Sequence, residues 1–244
     1  ISPLPILQDL QELPNFLHLS LRQTRLRDPC LAALASLQGL ASLDLSLSSP
    51  VGLSELQALA PLSPSLTALN LSVGRSYCVK ARRQAGKGGI DFLEFFTRLQ
   101  SLSLHGREEV RSLQVLGHLQ HLTSIDLGGL HLDSTTLQPI LRLTALTALC
   151  LQGSLSFPGC DCAAVLRHLT SLPRLASLDL SSNEWVTLQR LPLLSALPAL
   201  NDVRLQGTAA QAQLHALCEL QDLSTNPPFK RLELLLAWHR AQPV

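Results

Sequence analysis

The segment LASLDLSSN at residues 175–183 contains a spacing of leucines that decides the fold. Leu175 is followed by Leu178 and then by Leu180, so the intervals are three residues and then two. Alternate residues of a β-strand lie on the same face of the strand. The spacing therefore predicts a short strand that buries Leu178 and Leu180, entered from a turn at Leu175, with Asp179 pointing to the opposite face.

The same spacing, apolar-x-x-apolar-x-Leu, returns along the whole chain. Nine units carry it, and they begin near residues 16, 40, 66, 99, 122, 146, 175, 200 and 229. Their starts are 23 to 33 residues apart. One such unit cannot bury its leucine face alone, but it can do so when stacked on neighbouring units. The repeat therefore predicts a single elongated domain over residues 1–244.

Between the strands the apolar spacing changes to three and four residues. It does so at 134–143, 162–172 and 188–200, which suits a helix or irregular helical turns. Pro192 and Pro198 limit the length of the last segment, because proline is costly inside a helix. Each unit is therefore expected to contain a strand, a turn, a helical return and a second turn.

These repeats resemble the leucine-rich repeat family. The consensus LxxLxLxxN is met in full at 175–183, and its LxxLxL part is met in all nine units when another apolar residue is allowed at its first two leucine positions. The resemblance implies an α/β solenoid, curved, with a parallel β-sheet on its concave face and helices or helical turns on its convex face. The repeat lengths, and the lack of the plant extracellular Gly-x-Ile-Pro extension and of Cys-rich caps, are similar to intracellular members. They imply a location in the cytoplasm, or in an organelle if a targeting segment precedes Ile1.

The family's asparagine is replaced in eight of the nine units. In chain order the replacing residues are Thr24, Ser48, Gly74, Arg107, Leu130, Ser154, Thr208 and Ala237. A continuous ladder of asparagines is therefore excluded, and only Asn183 keeps the consensus residue.

Composition narrows the class of partner. Charged residues make up only 15% of the chain and the net charge is +1, so there is no general attraction to nucleic acid or to an anionic membrane. No run of about 18 apolar residues is present to span a bilayer. The six cysteines are scattered, which favours reduced thiols in an intracellular protein. Because the chain has no Met and begins at Ile1, we expect a fragment or a processed chain.

The predicted concave face carries small side chains and a thin line of acidic ones. Charged candidates for contact with a partner are Arg22, Asp44, Asp126, Asp179, Arg204 and Arg231. This pattern indicates a flat trough for a protein surface or an extended segment. The alternative is that LDLS is simply what this repeat type uses on a solvated strand. The concave positions hold no Trp or Tyr, the usual residues of interface hot spots besides Arg.

The longest interval between units contains a basic loop insertion at 72–91. Besides Arg75 and the single Tyr of the chain, it holds further candidate contact residues: Tyr77, Lys80, Arg82, Arg83 and Lys87. Five basic residues stand against one acidic residue, Asp91. The loop is either a projection that docks on an acidic partner or a phosphate backbone, or a soluble insertion without a partner.

The sequence contains no complete catalytic or metal-binding motif. QAGKGG at 84–89 lacks the first Gly and the Ser or Thr of a phosphate-binding loop. Cys160 and Cys162 are two potential metal ligands without a second pair, so a structural turn at a helix start is favoured. Trp185, two residues after Asn183, is expected in the core, and Trp238 is a candidate C-terminal cover or contact. We expect no enzyme activity, cofactor, metal or small-molecule ligand.

The sequence therefore favours a noncatalytic protein–protein interaction scaffold, a subunit or adaptor of a larger assembly. Three alternatives stay open. The chain is the substrate-recognition module of a ubiquitin ligase, or a ribonucleoprotein component that contacts RNA through the basic loop at 75–87, or a regulatory arm of a longer enzyme or receptor.

Overall fold

The computed structural model describes residues 9–10, 17–24, 26, 28–48, 55–74, 89–156 and 160–214. Within them lies one parallel sheet of eight strands, paired in chain order. The strands are β1 (His18–Ser20), β2 (Ser42–Asp44), β3 (Ala68–Asn70), β4 (Ser101–Ser103), β5 (Ser124–Asp126), β6 (Ala148–Cys150), β7 (Ser177–Asp179) and β8 (Asp202–Arg204). Each described repeat unit supplies one strand, as predicted. The unit beginning near 229 lies outside the described residues.

The strands pair without any shift, so equivalent leucines stack into one column. Leu43 lies opposite Leu69, and Leu149 lies opposite Leu178. These central residues point into the core, whereas the residues on either side of them point away from it. Leu19 and Val203 in the two end strands are only partly buried, because each of these strands pairs with a single neighbour within the described sheet.

The returns between strands form a layer of short helices. It contains α1 (Asp28–Ala35) and α2 (Cys162–Leu169), and five 3-10 helices: η1 (Glu55–Leu62), η2 (Asp91–Phe95), η3 (Gln114–His118), η4 (Ile140–Arg142) and η5 (Leu191–Ala196). The return predicted at 162–172 is an α-helix, whose start is capped by a hydrogen bond from the Ala164 amide to Asp161 Oδ1 at 3.0 Å. The returns at 134–143 and 188–200 contain only turns and a short 3-10 helix.

The core between the sheet and this layer consists mostly of leucine. Leu40, Leu66, Leu122 and Leu175, each the first residue of its unit, are fully buried. Fully burying a leucine stabilises the fold by about 1.5–3 kcal/mol. The three-then-two spacing thus provides three buried anchors in each of the six units that begin between residues 40 and 175.

Asn183 links two units through its side-chain amide. Its Nδ2 donates to the carbonyl of Leu151 in the preceding unit and to that of Leu180, both at 2.8 Å. Its Oδ1 accepts from the Leu155 amide at 2.8 Å. Asn183 is fully buried, so these bonds satisfy backbone groups that water does not reach.

Other residue types make the same inter-unit bond where the asparagine is missing. The donors and acceptors are Ser48 Oγ to Leu21 O at 2.6 Å, Arg107 Nε to Leu71 O at 2.7 Å, and Ser154 Oγ to Leu127 O at 2.6 Å. In each case the acceptor is the last leucine of the preceding unit, as it is for Asn183. The asparagine ladder is therefore absent, as predicted, but a mixed polar ladder performs part of its task.

Arg107 places a charge inside this ladder. Its side chain is 5% exposed, and its Nη1 lies 3.2 Å from Glu109 Oε1. A buried charge is tolerated only when it is paired and hydrogen-bonded. The Glu109 carboxylate and the Leu71 carbonyl meet that requirement here.

The turns after seven of the eight described strands reverse the chain through a left-handed residue. Positive φ angles occur at Gln23, Leu47, Gly106, Gly129, Gly153, Ser182 and Gly207, always two residues after the last leucine of the unit. Ser46 and Ser181 directly precede such residues and are 3% and 6% exposed. Continued strand alternation would place Ser181 on the same outer face as Asp179, but the alternation ends where the chain turns, and Ser181 is buried.

We expect the free energy of unfolding to fall by about 3 kcal/mol in Asn183→Ala, since three bonds to buried backbone groups are lost. Ser154→Ala loses one inter-unit bond, so we expect a decrease of about 1 kcal/mol. Urea denaturation followed by circular dichroism measures both, with the exposed Glu184→Ala as control. Equal losses in Asn183→Ala and Ser154→Ala would contradict the importance assigned to Asn183.

Two left-handed glycines provide a second comparison. In Gly153→Ala the nearest atom to the new Cβ lies 4.0 Å away, so only the positive φ is unfavourable, at about 1 kcal/mol. In Gly106→Ala the Cβ would lie 2.5 Å from the Val73 carbonyl oxygen, and the backbone must shift as well. We expect Gly106→Ala to lose at least twice as much stability in the same assay. A larger loss in Gly153→Ala would contradict this account of the turn.

Candidate binding surface

Among the described residues, no helix or further strand covers one face of the sheet, which we call the open face. It is formed by the first and third residues of the strands. The first residues are His18, Ser42, Ala68, Ser101, Ser124, Ala148, Ser177 and Asp202. The third residues are Ser20, Asp44, Asn70, Ser103, Asp126, Cys150, Asp179 and Arg204. Most of these side chains are short, and most are half-buried between their neighbours on adjacent strands.

The acidic residues of the open face also hold the turns. Oδ1 of Asp44, Asp126 and Asp179 each accepts the backbone amide two residues later, at 2.8, 2.9 and 2.8 Å. Asn70 accepts the Ser72 amide in the same way at 3.0 Å. This is an Asx turn, which ends the strand locally. The acidic residues therefore serve first to hold the turns of the repeat. The second oxygen of each carboxylate takes no part in this hydrogen bond.

Both oxygens of the Asp126 carboxylate belong to a polar cluster. Ser103 Oγ donates to Asp126 Oδ2 at 3.3 Å, and His105 Nδ1 lies 3.4 Å from Asp126 Oδ1. Gly128 makes room for the imidazole, because a Cβ there would lie 2.3 Å from His105 Nδ1. The cluster therefore depends on a glycine two residues after the aspartate.

The cluster stabilises the ionised form of Asp126. Burial is the largest influence and by itself raises the pKa of Asp126. Hydrogen bonds from His105 and from the Gly128 amide, together with the charge of the imidazole, outweigh burial and hold the pKa of Asp126 below its ordinary value. The carboxylate is therefore charged at neutral pH and available to a partner.

A shallow groove of about 510 Å³ lies beside this cluster. Its lining includes Arg22, Ser46, Asn70, Ser72, His105 and Asp126. The groove thus brings together a positive group from the first described unit and a negative group from the fifth. It also borders Gly74, the last described residue before the basic segment.

The predicted contact residues divide into three groups. Arg22 and Asp126 line the groove, with Asp44 on an intervening strand. Asp179 and Arg204 are register partners nearer the other end of the sheet. Tyr77, Lys80, Arg82, Arg83, Lys87, Arg231 and Trp238 lie outside the described residues.

His105 is the functional candidate that sequence reasoning missed. It follows β4 in the loop and approaches Asp126 from the neighbouring unit. The signal for it is Gly128, the only glycine in the chain that occupies the position directly after the last leucine of a unit. Small residues at that position leave space for a long side chain from the preceding unit.

The open face carries no activated nucleophile among its described residues. Burial, followed by the nearby charges of Asp126 and Asp179, raises the pKa of the Cys150 thiol to about 12. Such a thiol is protonated at neutral pH and is a poor nucleophile. In the described ranges, His, Cys, Asp and Glu side chains form no group of three that could hold a metal ion.

Two further features of the surface concern apolar groups. Trp185 is 54% exposed, so the prediction that it lies in the core is wrong. Val186 is fully buried and takes the inward position, because this turn contains one residue more than the turn in which Leu132 follows Leu130. In the part of the chain that the structure describes, the helices are too short and too polar to cross a bilayer.

The architecture is shared with solved structures. The chain is similar to an internalin C2 from Listeria monocytogenes, with a TM-score of 0.54 and 20% identity, covering 79% of this chain and 72% of that one. It is also similar to a leucine-rich repeat protein from Leptospira interrogans, with a TM-score of 0.53 and 21% identity, covering 82% of this chain and 45% of that one. The chain thus spans less than half the length of the Leptospira protein.

These likenesses confirm the leucine-rich repeat fold that the sequence predicted. No protein-family model matches the sequence, and no curated protein matches it.

We expect the low pKa of Asp126 to contribute to stability in a defined pH range. Its contribution is fully present above the unfolded pKa of about 4 and is lost as the pH falls through the lower folded pKa. Carboxyl NMR titration should give a pKa for Asp126 below that of an unstructured aspartate. In Gly128→Ala, which displaces His105, this pKa should rise. An unchanged pKa in Gly128→Ala would contradict the role of the imidazole.

Proposed function

We propose that this chain is a noncatalytic protein-interaction module and that the open face receives its partner. The observation that carries the proposal is the open face itself: eight strands present short polar side chains that no other described element covers. The likeness to leucine-rich repeat structures supports an interaction module in general.

The size of the open face favours a protein over a small molecule. Eight parallel strands about 4.8 Å apart extend over roughly 34 Å. An extended peptide rising about 3.3 Å per residue needs about ten residues to cross that distance. Small-molecule sites are enclosed clefts lined mainly by apolar side chains. The groove at Asp126 is instead shallow and lined mostly by polar residues.

The charges of the open face define the chemistry of the partner. Arg22, just after β1, and Arg204 in β8 lie toward opposite ends and are exposed, and Arg204 Nε lies 3.8 Å from Asp202 Oδ2. Asp44, Asp126 and Asp179 lie between the two arginines. Among the described residues, no hydrogen bond is made to the second oxygen of Asp44 or Asp179. A partner with basic groups opposite the middle of the sheet and acidic groups at its ends fits this arrangement. Such complementarity sets orientation and association rate more than affinity.

We propose further that the module serves as a subunit or adaptor of a larger assembly. Exposed Leu17, Phe95 and Trp185 support this, because they lie in three separate parts of the chain and offer contacts away from the centre of the open face. Trp in particular is enriched among residues that contribute most to binding.

The proposal predicts that bulky charges on the open face abolish partner binding. Ser101 and Ser124 are register partners in the middle of the sheet, and their side chains point outward. In the double variant Ser101→Arg/Ser124→Arg we expect the affinity for the partner to fall at least about tenfold, through steric and charge conflict. Affinity purification with mass spectrometry from native cells identifies the partner, and titration with the purified partner measures the affinity.

The matched control is Gln57→Arg/Gln114→Arg. It adds the same charge to exposed positions of η1 and η3, so it should bind as the wild type does. Equal binding by both double variants would remove the open face from consideration. Recovery of the chain only as a free monomer would contradict the assembly role.

The basic segment is tested in the same assay. If co-purification is sensitive to nuclease, and is lost with a salt slope when Lys80, Arg82, Arg83 and Lys87 are neutralised together, the partner is RNA and the proposal is overturned. If neutralisation leaves binding unchanged, the segment plays no part in recognition.

A further inference from the structure

Two cysteines on the helical side of the solenoid lie close enough to react with each other. Cys160 precedes α2, and Cys162 is its first residue. Their Sγ atoms are 3.7 Å apart. Both are free thiols. A disulfide bond is about 2.0 Å long, so the two sulfurs must approach by roughly 1.7 Å.

The surroundings of the two thiols differ. Cys162 is 1% exposed, whereas Cys160 is half-buried and thus accessible to a small molecule. Cys160 lies before the N-cap residue Asp161, so its side chain can move without breaking a hydrogen bond of the helix. A small disulfide can therefore reach Cys160 first, and Cys162 lies close enough to resolve the mixed disulfide that forms.

Each thiol also contacts a backbone carbonyl. Cys160 Sγ lies 3.6 Å from Leu132 O in the preceding unit, and Cys162 Sγ lies 3.7 Å from Leu155 O in its own unit. These weak S–H donors therefore help to hold the segment before α2 in place. Oxidation of the two thiols to a disulfide removes both S–H donors at once.

We propose that Cys160 and Cys162 form a reversible dithiol–disulfide pair that small disulfides such as oxidised glutathione convert. The site is independent of the open face and adds a modification to the interaction role. The proposal accounts for two cysteines that are separated by a single residue at a helix start. Among the described residues, no third side chain joins them to form a metal site.

The chemistry proceeds by thiol–disulfide exchange. The Cys160 thiolate attacks one sulfur of oxidised glutathione, a mixed disulfide forms, and one glutathione leaves as the thiol. The Cys162 sulfur then attacks Cys160, which releases the second glutathione. Two protein thiols are oxidised, one glutathione disulfide is reduced to two thiols, and the two protein protons pass to the released glutathiones.

The rate of this exchange depends on pH. Burial, followed by the interaction with Cys162, raises the pKa of Cys160 to about 12. Only the thiolate attacks. While the pH stays below that pKa, the thiolate fraction rises about tenfold for each unit by which the pH increases. Oxidation is therefore slow at neutral pH and accelerates steeply in alkaline buffer.

The test maps the bond in the wild-type chain. The full chain is incubated with oxidised glutathione at pH 7 and pH 8, unfolded, alkylated and digested with trypsin. One peptide, residues 143–167, contains Cys150, Cys160 and Cys162. We expect it to carry one alkyl group, on Cys150, with a bond between Cys160 and Cys162. The bond should form about ten times faster at pH 8 and should disappear on treatment with dithiothreitol.

Two variants assign the roles of the cysteines. Cys162→Ser should trap glutathione on Cys160, whereas Cys160→Ser should give no disulfide within the peptide. Cys150→Ala is the matched control and should oxidise as the wild type does. The proposal is overturned if the wild-type peptide carries three alkyl groups, if glutathione stays on Cys160, or if either cysteine pairs elsewhere. The wild-type mapping decides the matter even where a variant fails to fold.

Discussion

The solenoid depends on hydrogen bonds that join the turn of one unit to the next. At four junctions, the carbonyl of the last leucine of a unit accepts a hydrogen bond from a side chain of the following unit. Asn183 donates to Leu151, and Ser48, Arg107 and Ser154 donate to Leu21, Leu71 and Leu127. A hydrogen bond of this kind contributes about 0.5–1.5 kcal/mol, so it couples these units to their neighbours. Stacking of the leucines then follows in register, because the backbone ladder has no shift.

The same geometry produces the candidate binding surface. An aspartate at the end of a strand accepts the amide of the turn, and this leaves its second oxygen on the open face. Asp44, Asp126 and Asp179 therefore serve the fold and supply charge to the surface at once. Only Asp126 has a more elaborate environment, with His105 resting over Gly128. In the proposed function, the partner therefore binds to a surface whose acidic residues also stabilise the turns of the repeat.

The structure changes which residues are assigned to the groove, to the inter-unit hydrogen bonds and to the core. Arg22 and Asp126 are both candidates from the sequence pattern, but their position on one groove depends on how the three strands between them stack. The ladder shows that chemically different residues can make the same bond, which a search for asparagine does not reveal. Trp185 is exposed although the repeat pattern predicts it in the core, because its turn has one extra residue. A local insertion of this kind changes which side chain faces the core. Alternation likewise failed at Ser181, where a left-handed residue ends the strand.

The sequence alone determined the repeat, its strands, their parallel order and the leucine core. It did so because alternation within a strand and stacking between units are local rules applied eight times over the described chain. It also determined the acidic line and the absence of a continuous asparagine ladder. Only the tertiary structure decided the mixed ladder, the His105–Asp126 pair, the groove and the proximity of Cys160 to Cys162 within their turn. Each of these depends on distances between side chains, which the stacking of neighbouring units and the path of each turn establish.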